Sequence, residues 1–140
     1  MKRAVALGFL LLSAVMPAHA DALQSLMWSR WVNIGPGRSI AQVKPAERAA
    51  LRRCKTWTML FRPAGSGIEQ TFIAGMTMRN NYPKVLVSQI PGETIFVLVL
   101  PDGKTHDTLH LSEDGQVLTQ VSPPFRPQTY LRCADAAKKS

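Results

Sequence analysis

The chain has little of what most enzymes and metal proteins are built from. Its 140 residues include two cysteines, three histidines and nine acidic residues. The cysteines, Cys54 and Cys133, stand 79 positions apart. That spacing excludes a CxxC redox motif, and two thiols do not complete a tetrahedral zinc site. Glu47, Glu69, Glu93 and Glu113 are scattered beside turns and form no local glycosidase pair. Gly65-Ser66-Gly67 lacks the strand–turn–helix context of a nucleophile elbow, because strand patterns flank it on both sides. His106 and His110 lie four apart on a predicted strand. They share a face there, roughly 13 Å apart, too far for one metal ion to bridge. Asp102, Asp107 and Asp114 lie near them in the chain, but no motif ties them into a ligand set. No catalytic, cofactor-binding or metal-ligating residue is assigned from the sequence.

Long apolar runs are also missing. A membrane-spanning helix needs about 20 consecutive apolar residues. The longest run, Ala4 to Met16, is shorter and has a particular setting. Lys2 and Arg3 precede it, Pro17 ends it, and Ala18-His19-Ala20 places small residues at the two positions a signal peptidase reads. Residues 1–20 therefore read as a cleavable signal peptide, with Asp21 the first mature residue. The expected location is the periplasm or the cell exterior. No cysteine follows the cleavage site, so no lipid anchor is expected. In an oxidising compartment the even cysteine pair reads as one disulfide, Cys54–Cys133.

Charge of negative sign is scarce. The whole chain carries +8. The signal takes two of its 17 basic residues and none of its nine acidic ones, leaving 15 against nine, a net charge of +6. The basic residues are dispersed except at Arg52-Arg53-Lys55 and Lys138-Lys139, so no specific nucleic-acid binding is expected. The excess keeps a small domain dispersed. It also attracts anionic envelope material.

What is present is a strand pattern. Proline and glycine recur at intervals of about ten residues, the signature of an antiparallel barrel or sandwich. One short helix is expected near residues 45–54, where Pro45 opens the segment, Glu47 lies in the first turn and Arg53 near the end. After it the apolar period changes to two. Seven strands are expected, over Thr56–Arg62, Ile68–Met78, Lys84–Ile90, Thr94–Leu100, Thr105–Leu111, Gln116–Val121 and Gln128–Cys133, with a turn at Arg79–Pro83. Trp31–Ile34 adds an eighth, enough to close a small barrel. Ser39–Val43 reads as a further short strand, and residues 22–28 as a helical turn. The expected architecture is a mainly β, antiparallel meander of 7–8 strands closed into a small barrel, with a β-sandwich as the alternative. Residues 21–134 form one domain and 135–140 a disordered basic tail.

Trp31-Val32-Asn33 near the mature start and Arg132 in the last strand resemble the lipocalin and avidin-like superfamily of small barrels. That superfamily places a Trp in the first strand and a basic residue across it from the last. The resemblance implies that Trp31 and Arg132 form a structural pair at the closed end, a guanidinium over an indole face. Ser29 stands where the superfamily usually has Gly, and the helix near 45–54 is an insertion. Leu111–Gln116 and Tyr130–Cys133 are similar to stretches of small exported bacterial proteins. The resemblance supplies the architecture and no binding residue.

The aromatic residues Trp28, Trp31, Trp57, Phe61, Phe72, Phe96, Phe125 and Tyr130 are expected mostly in the core. Met27, Met59, Met76 and Met78 either fill it or line an adaptable pocket. The first functional expectation is a non-catalytic exported binding module, holding a small apolar ligand or meeting an anionic envelope component. The alternatives are an inhibitor or interaction protein directed at a hydrolase or other envelope protein, and a weak hydrolase.

Overall fold

Alternating apolar side chains from Thr58 onward build one continuous antiparallel sheet. The computed structural model describes residues 21–56, 58–73 and 76–134. The expected signal at 1–20 and basic tail at 135–140 lie outside the described residues, as do Trp57, Ala74 and Gly75. Residues 21–27 are helical (α1), followed by β1 (Arg30–Asn33), a 3-10 turn (Ile40–Gln42) and α2 (Pro45–Leu51). Eight strands complete the chain: β2 (Thr58–Ala64), β3 (Gly67–Ile73), β4 (Thr77–Tyr82), β5 (Lys84–Ile90), β6 (Glu93–Val99), β7 (His106–Ser112), β8 (Val117–Val121) and β9 (Gln128–Arg132).

The nine strands run in the order β4-β3-β2-β1-β9-β8-β7-β6-β5. The two terminal strands of that order, β4 and β5, are joined by Pro83 alone. Residues 77–90 thus act as one bent strand, pairing with β3 along the first half and with β6 along the second. The result is a nearly closed barrel and not a sandwich.

Three local expectations are corrected. A single strand over Ile68–Met78 followed by a turn at Arg79–Pro83 is replaced by two strands. The chain reverses between Ile73 and Thr77, and Asn80 and Asn81 pair with Gln70 and Glu69. Turn-prone asparagines are tolerated there because β4 is paired on one side only. Pro83, which has no N–H to give, marks the bend. Ser39–Val43 is a 3-10 turn and not a strand, and the Ser39 amide donates to the Gln42 side chain at 2.8 Å. The helix stops at Leu51, three residues short of Cys54, which sits at φ 53° in the left-handed region.

The core has two parts. Inside the barrel, Trp31, Met59, Phe61, Ile68, Tyr82, Phe96, Leu98, Leu109, Leu111, Leu118 and Tyr130 form one buried cluster. Full burial of each such ring or aliphatic chain contributes about 1.5–3 kcal/mol. Leu26 of α1 belongs to the same cluster, and Ala22, Leu23 and Met27 pack against it. The α1 segment therefore plugs one end of the barrel. The Trp31 indole donates to the Leu26 carbonyl at 3.3 Å and the Ser29 hydroxyl to the Ser25 carbonyl at 2.7 Å.

The second cluster lies on the outer face of β1 and β9. Val32, Ile34, Val43 and Leu131 are covered there by Ile40, Leu51 and Cys54. This is what the 34–54 segment is for in the fold. Arg38 fastens it, donating to both Glu47 oxygens at 2.7 and 3.0 Å and to the carbonyls of Ile34 and Gln42 at 3.0 and 3.1 Å. Arg52 fastens its other end, donating to the Arg132 carbonyl at 3.0 Å and the Gln116 side chain at 3.1 Å. Cys54 and Cys133 form the disulfide, with their Cα atoms 5.7 Å apart.

Candidate ligand site at the open end of the barrel

Strand alternation sends a few polar side chains inward among the apolar ones. Gln70 shares a face with Ile68 and Phe72, Asp107 with Leu109 and Leu111, and Gln120 with Leu118. Each meets another polar group. The Gln70 amide donates to Gln120 Oε1 at 2.7 Å. The Tyr82 hydroxyl lies 3.1 Å from Gln70 Oε1 and 2.7 Å from Asp107 Oδ2. It has one proton, and the charged, nearer acceptor takes it. Gln120 also reaches the Ser122 hydroxyl, donating at 3.3 Å. Gln70 is fully buried and Tyr82 nearly so. This polar layer crosses the barrel from β3 and β4 to β7 and β8.

Against that layer lies an open cavity of about 400 Å³. Asn80, Asp107, Gln120 and Ser122 form its polar side, and Phe72, Phe125 and Tyr130 supply three rings. Arg126 and Gln128 complete the lining. Gln128 is held in place by the Asn33 amide, which donates to it at 3.0 Å. Phe125 projects from the loop before β9 and is 74 % exposed. Two further clefts, of about 420 and 520 Å³, flank this mouth. Arg38 lines both, and its guanidinium is already committed to Glu47 and two carbonyls. We therefore place the candidate site in the mouth itself.

The site makes its two tyrosines unusual. Burial, more than the neighbouring Asp107, pushes the Tyr82 phenol far above its ordinary value, and burial raises Tyr130 as well. These are the only two tyrosines in the chain. Both folded-state values exceed the unfolded value near 10. The folded protein thus keeps two protons that the unfolded chain releases above pH 10. Stability from this source is intact below pH 10 and declines as pH rises beyond it. A spectrophotometric tyrosine titration of the native protein is expected to show no tyrosinate step near pH 10, with ionisation appearing together with alkaline unfolding. A normal two-tyrosine step in the folded protein would contradict this burial.

The residues singled out in the sequence fall elsewhere. Trp31 and Arg132 are direct cross-strand partners of β1 and β9. Trp31 is in the core, and the Arg132 guanidinium donates to the Ser25 hydroxyl at 3.4 Å. Both belong to the plugged end. His106 is exposed on the outer face of β7, and His110 is half-buried there with Nδ1 3.2 Å from Glu93 Oε1. The Ser66 hydroxyl donates to the Pro83 carbonyl at 3.1 Å. Among the described residues no three His, Cys, Asp or Glu side chains converge to hold a metal ion. Met59 is core, whereas Met76 and Met78 are exposed; of the aromatics, Trp31, Phe61, Phe96 and Tyr130 are core as expected and Trp28 and Phe125 are exposed.

In the sequence Asp107 stands out only as a neighbour of His106, and Gln70 and Gln120 do not stand out at all. The signal for all three was a polar residue on the apolar face of a period-two strand. No protein-family model matches the chain, and no curated protein matches it.

Proposed function

We propose that this chain is an exported, non-catalytic binding module of the bacterial envelope that holds a small ligand at the open end of its barrel. The observation that carries the reading is the asymmetry of the barrel. One end is plugged by α1 and filled by Trp31, Leu111 and Leu118, while the other keeps a cavity of about 400 Å³ with ring walls and a hydrogen-bonded polar floor. Small-molecule sites combine aromatic walls with fixed polar groups in this way.

Export is supported by the signal-like residues 1–20 and by the disulfide, which persists in oxidising compartments. Among the described residues no helix is long and apolar enough to cross a membrane. The non-catalytic reading rests on the lining: its serine, Ser122, is hydrogen-bonded to an amide and not to a base.

The test is a titration with a neutral fluorophore such as N-phenylnaphthylamine. Its emission is expected to rise on entering the mouth. Phe125→Ala is expected to weaken that binding roughly three- to tenfold, the range of one aromatic contact. Because Phe125 is exposed, the same change is expected to alter stability by no more than about 0.5 kcal/mol. Unchanged dye binding by Phe125→Ala, or no binding at all, would count against the mouth. Native mass spectrometry of protein purified from its own host would then identify a retained molecule.

A second reading, an inhibitor or interaction protein, is favoured by β5. Among the described residues this strand pairs with β6 alone and carries exposed Leu86 and Ile90. Pairing through β5 would be lost in Leu86→Lys, which leaves the mouth untouched.

A further inference from the structure

Taking the mouth as the binding site, we infer that its ligand is a small organic zwitterion, with an ammonium group against Asp107 and a carboxylate or phosphate against Arg126. Asp107 is partly buried and its Oδ2 accepts the Tyr82 proton at 2.7 Å. Among the described residues no other donor reaches it, and it joins none of their ion pairs. A carboxylate on a cavity wall with one neutral donor and no cation leaves its remaining lone pairs for a positive group beside it.

Arg126 is the complement. Among the described residues its side chain makes no hydrogen bond or ion pair, and only its main-chain carbonyl is engaged, accepting from Gln128 at 3.5 Å. Five N–H donors are thus available on the rim of the same cavity. The two charges line one cavity without pairing with each other.

The rings select among ligands. Phe72, Phe125 and Tyr130 put rings in the lining, and an alkylated ammonium gains cation–π attraction from an aromatic face. A purely apolar ligand would cover Asp107 and leave its charge without a partner. A simple anion would meet that carboxylate, and a simple cation would meet Arg126 on a chain that carries +6 once residues 1–20 are removed. A molecule bearing both signs satisfies both groups. A free zwitterion and a zwitterionic lipid headgroup share this chemistry.

Isothermal titration of the disulfide-bonded protein with phosphocholine, choline and inorganic phosphate tests the assignment. Phosphocholine is expected to bind at least tenfold more tightly than either half alone. Asp107→Asn keeps an acceptor for Tyr82 and is expected to weaken phosphocholine and choline alike, by about tenfold. Arg126→Gln is expected to weaken phosphocholine and leave choline no weaker. Sedimentation with phosphatidylcholine vesicles separates the sources. Vesicle binding that needs Asp107 assigns the headgroup, and binding of free phosphocholine without it assigns a soluble ligand. Phosphocholine affinity no better than that of phosphate, or insensitive to Asp107→Asn, overturns the inference. If the neutral fluorophore still enters in that case, the mouth stands as a binding site and only the zwitterion falls; if it does not enter, both fall.

Discussion

The Cys54→Ser variant is expected to melt on the order of 15 °C below the parent protein. The bridge closes a loop of 79 residues. The chain-entropy treatment gives a loop of that length about 4–5 kcal/mol of stabilisation, acting on the unfolded chain. In a domain of this size one kcal/mol moves the melting temperature by about 4 °C. The expected loss sits below the full entropic figure because the reduced, unfolded chain retains some structure, while the folded state keeps its shape. Arg52 still donates to the Arg132 carbonyl, and the Ala134 amide still donates to the Arg52 carbonyl at 2.7 Å. These hydrogen bonds keep the end of α2 on β9 without the sulfur link.

The backbone adds a second term. Cys54 holds φ 53°, a left-handed conformation that costs a residue with a Cβ about 1–2 kcal/mol. In the oxidised protein the bridge tolerates that cost. Once the bridge is gone, Cys54→Gly is expected to be more stable than Cys54→Ser by about 1 kcal/mol, or about 4 °C. Calorimetric scans of the parent with and without reductant, and of both variants, separate the two terms. Reductant should bring the parent down to Cys54→Ser. Equal melting points for the parent and Cys54→Ser would remove the covalent link from the account of stability.

Period-two alternation and turn spacing made most of the strands legible in the sequence, because a strand that is apolar on one face advertises that face. The bridge was legible too, through the even cysteine pair in a chain with a signal-like start. The β3–β4 hairpin was not. Its Asn80-Asn81 reads as a turn on local propensity, yet pairing with Glu69 and Gln70 outweighs that preference. The 3-10 turn at Ile40–Gln42 reads as a strand in the sequence because Ile40 and Val43 look like strand residues. They are apolar to cover Leu131 and Val32 from outside the barrel.

The site was the least legible part. Gln70 and Gln120 are 50 positions apart, and only closure of the sheet brings their amides together. Phe125 belongs to a set of aromatics expected mostly in the core, since a large ring usually is buried. Its exposure at the rim of a cavity is what turns it from a core residue into a candidate contact.

Closure itself depends on Gly67, and Gly67→Ala is expected to destabilise the protein by about 3 kcal/mol. An added Cβ there would fall on the Tyr82 carbonyl oxygen and lie 2.6 and 2.8 Å from the Pro83 carbonyl carbon and Cα. All three are main-chain atoms, so no side-chain rotation relieves the clash. Overpacking of this kind costs about 1–3 kcal/mol even where side chains can adjust. The position matters further because Tyr82-Pro83 is the bend at which one strand leaves β3 and joins β6. Ile68 pairs with Tyr82 just before it and Lys84 with Val99 just after. Pushing the bend outward opens the seam and draws the Tyr82 hydroxyl away from Asp107, so ligand binding should weaken along with stability. Gly65→Ala is the control. Its Cβ would meet nothing within 4 Å, but its φ of +59° makes alanine unfavourable by about 1 kcal/mol. Urea unfolding should therefore rank the parent above Gly65→Ala and Gly65→Ala well above Gly67→Ala. If the two variants unfold at the same urea concentration, close packing of β3 on the bend is not what closes the barrel.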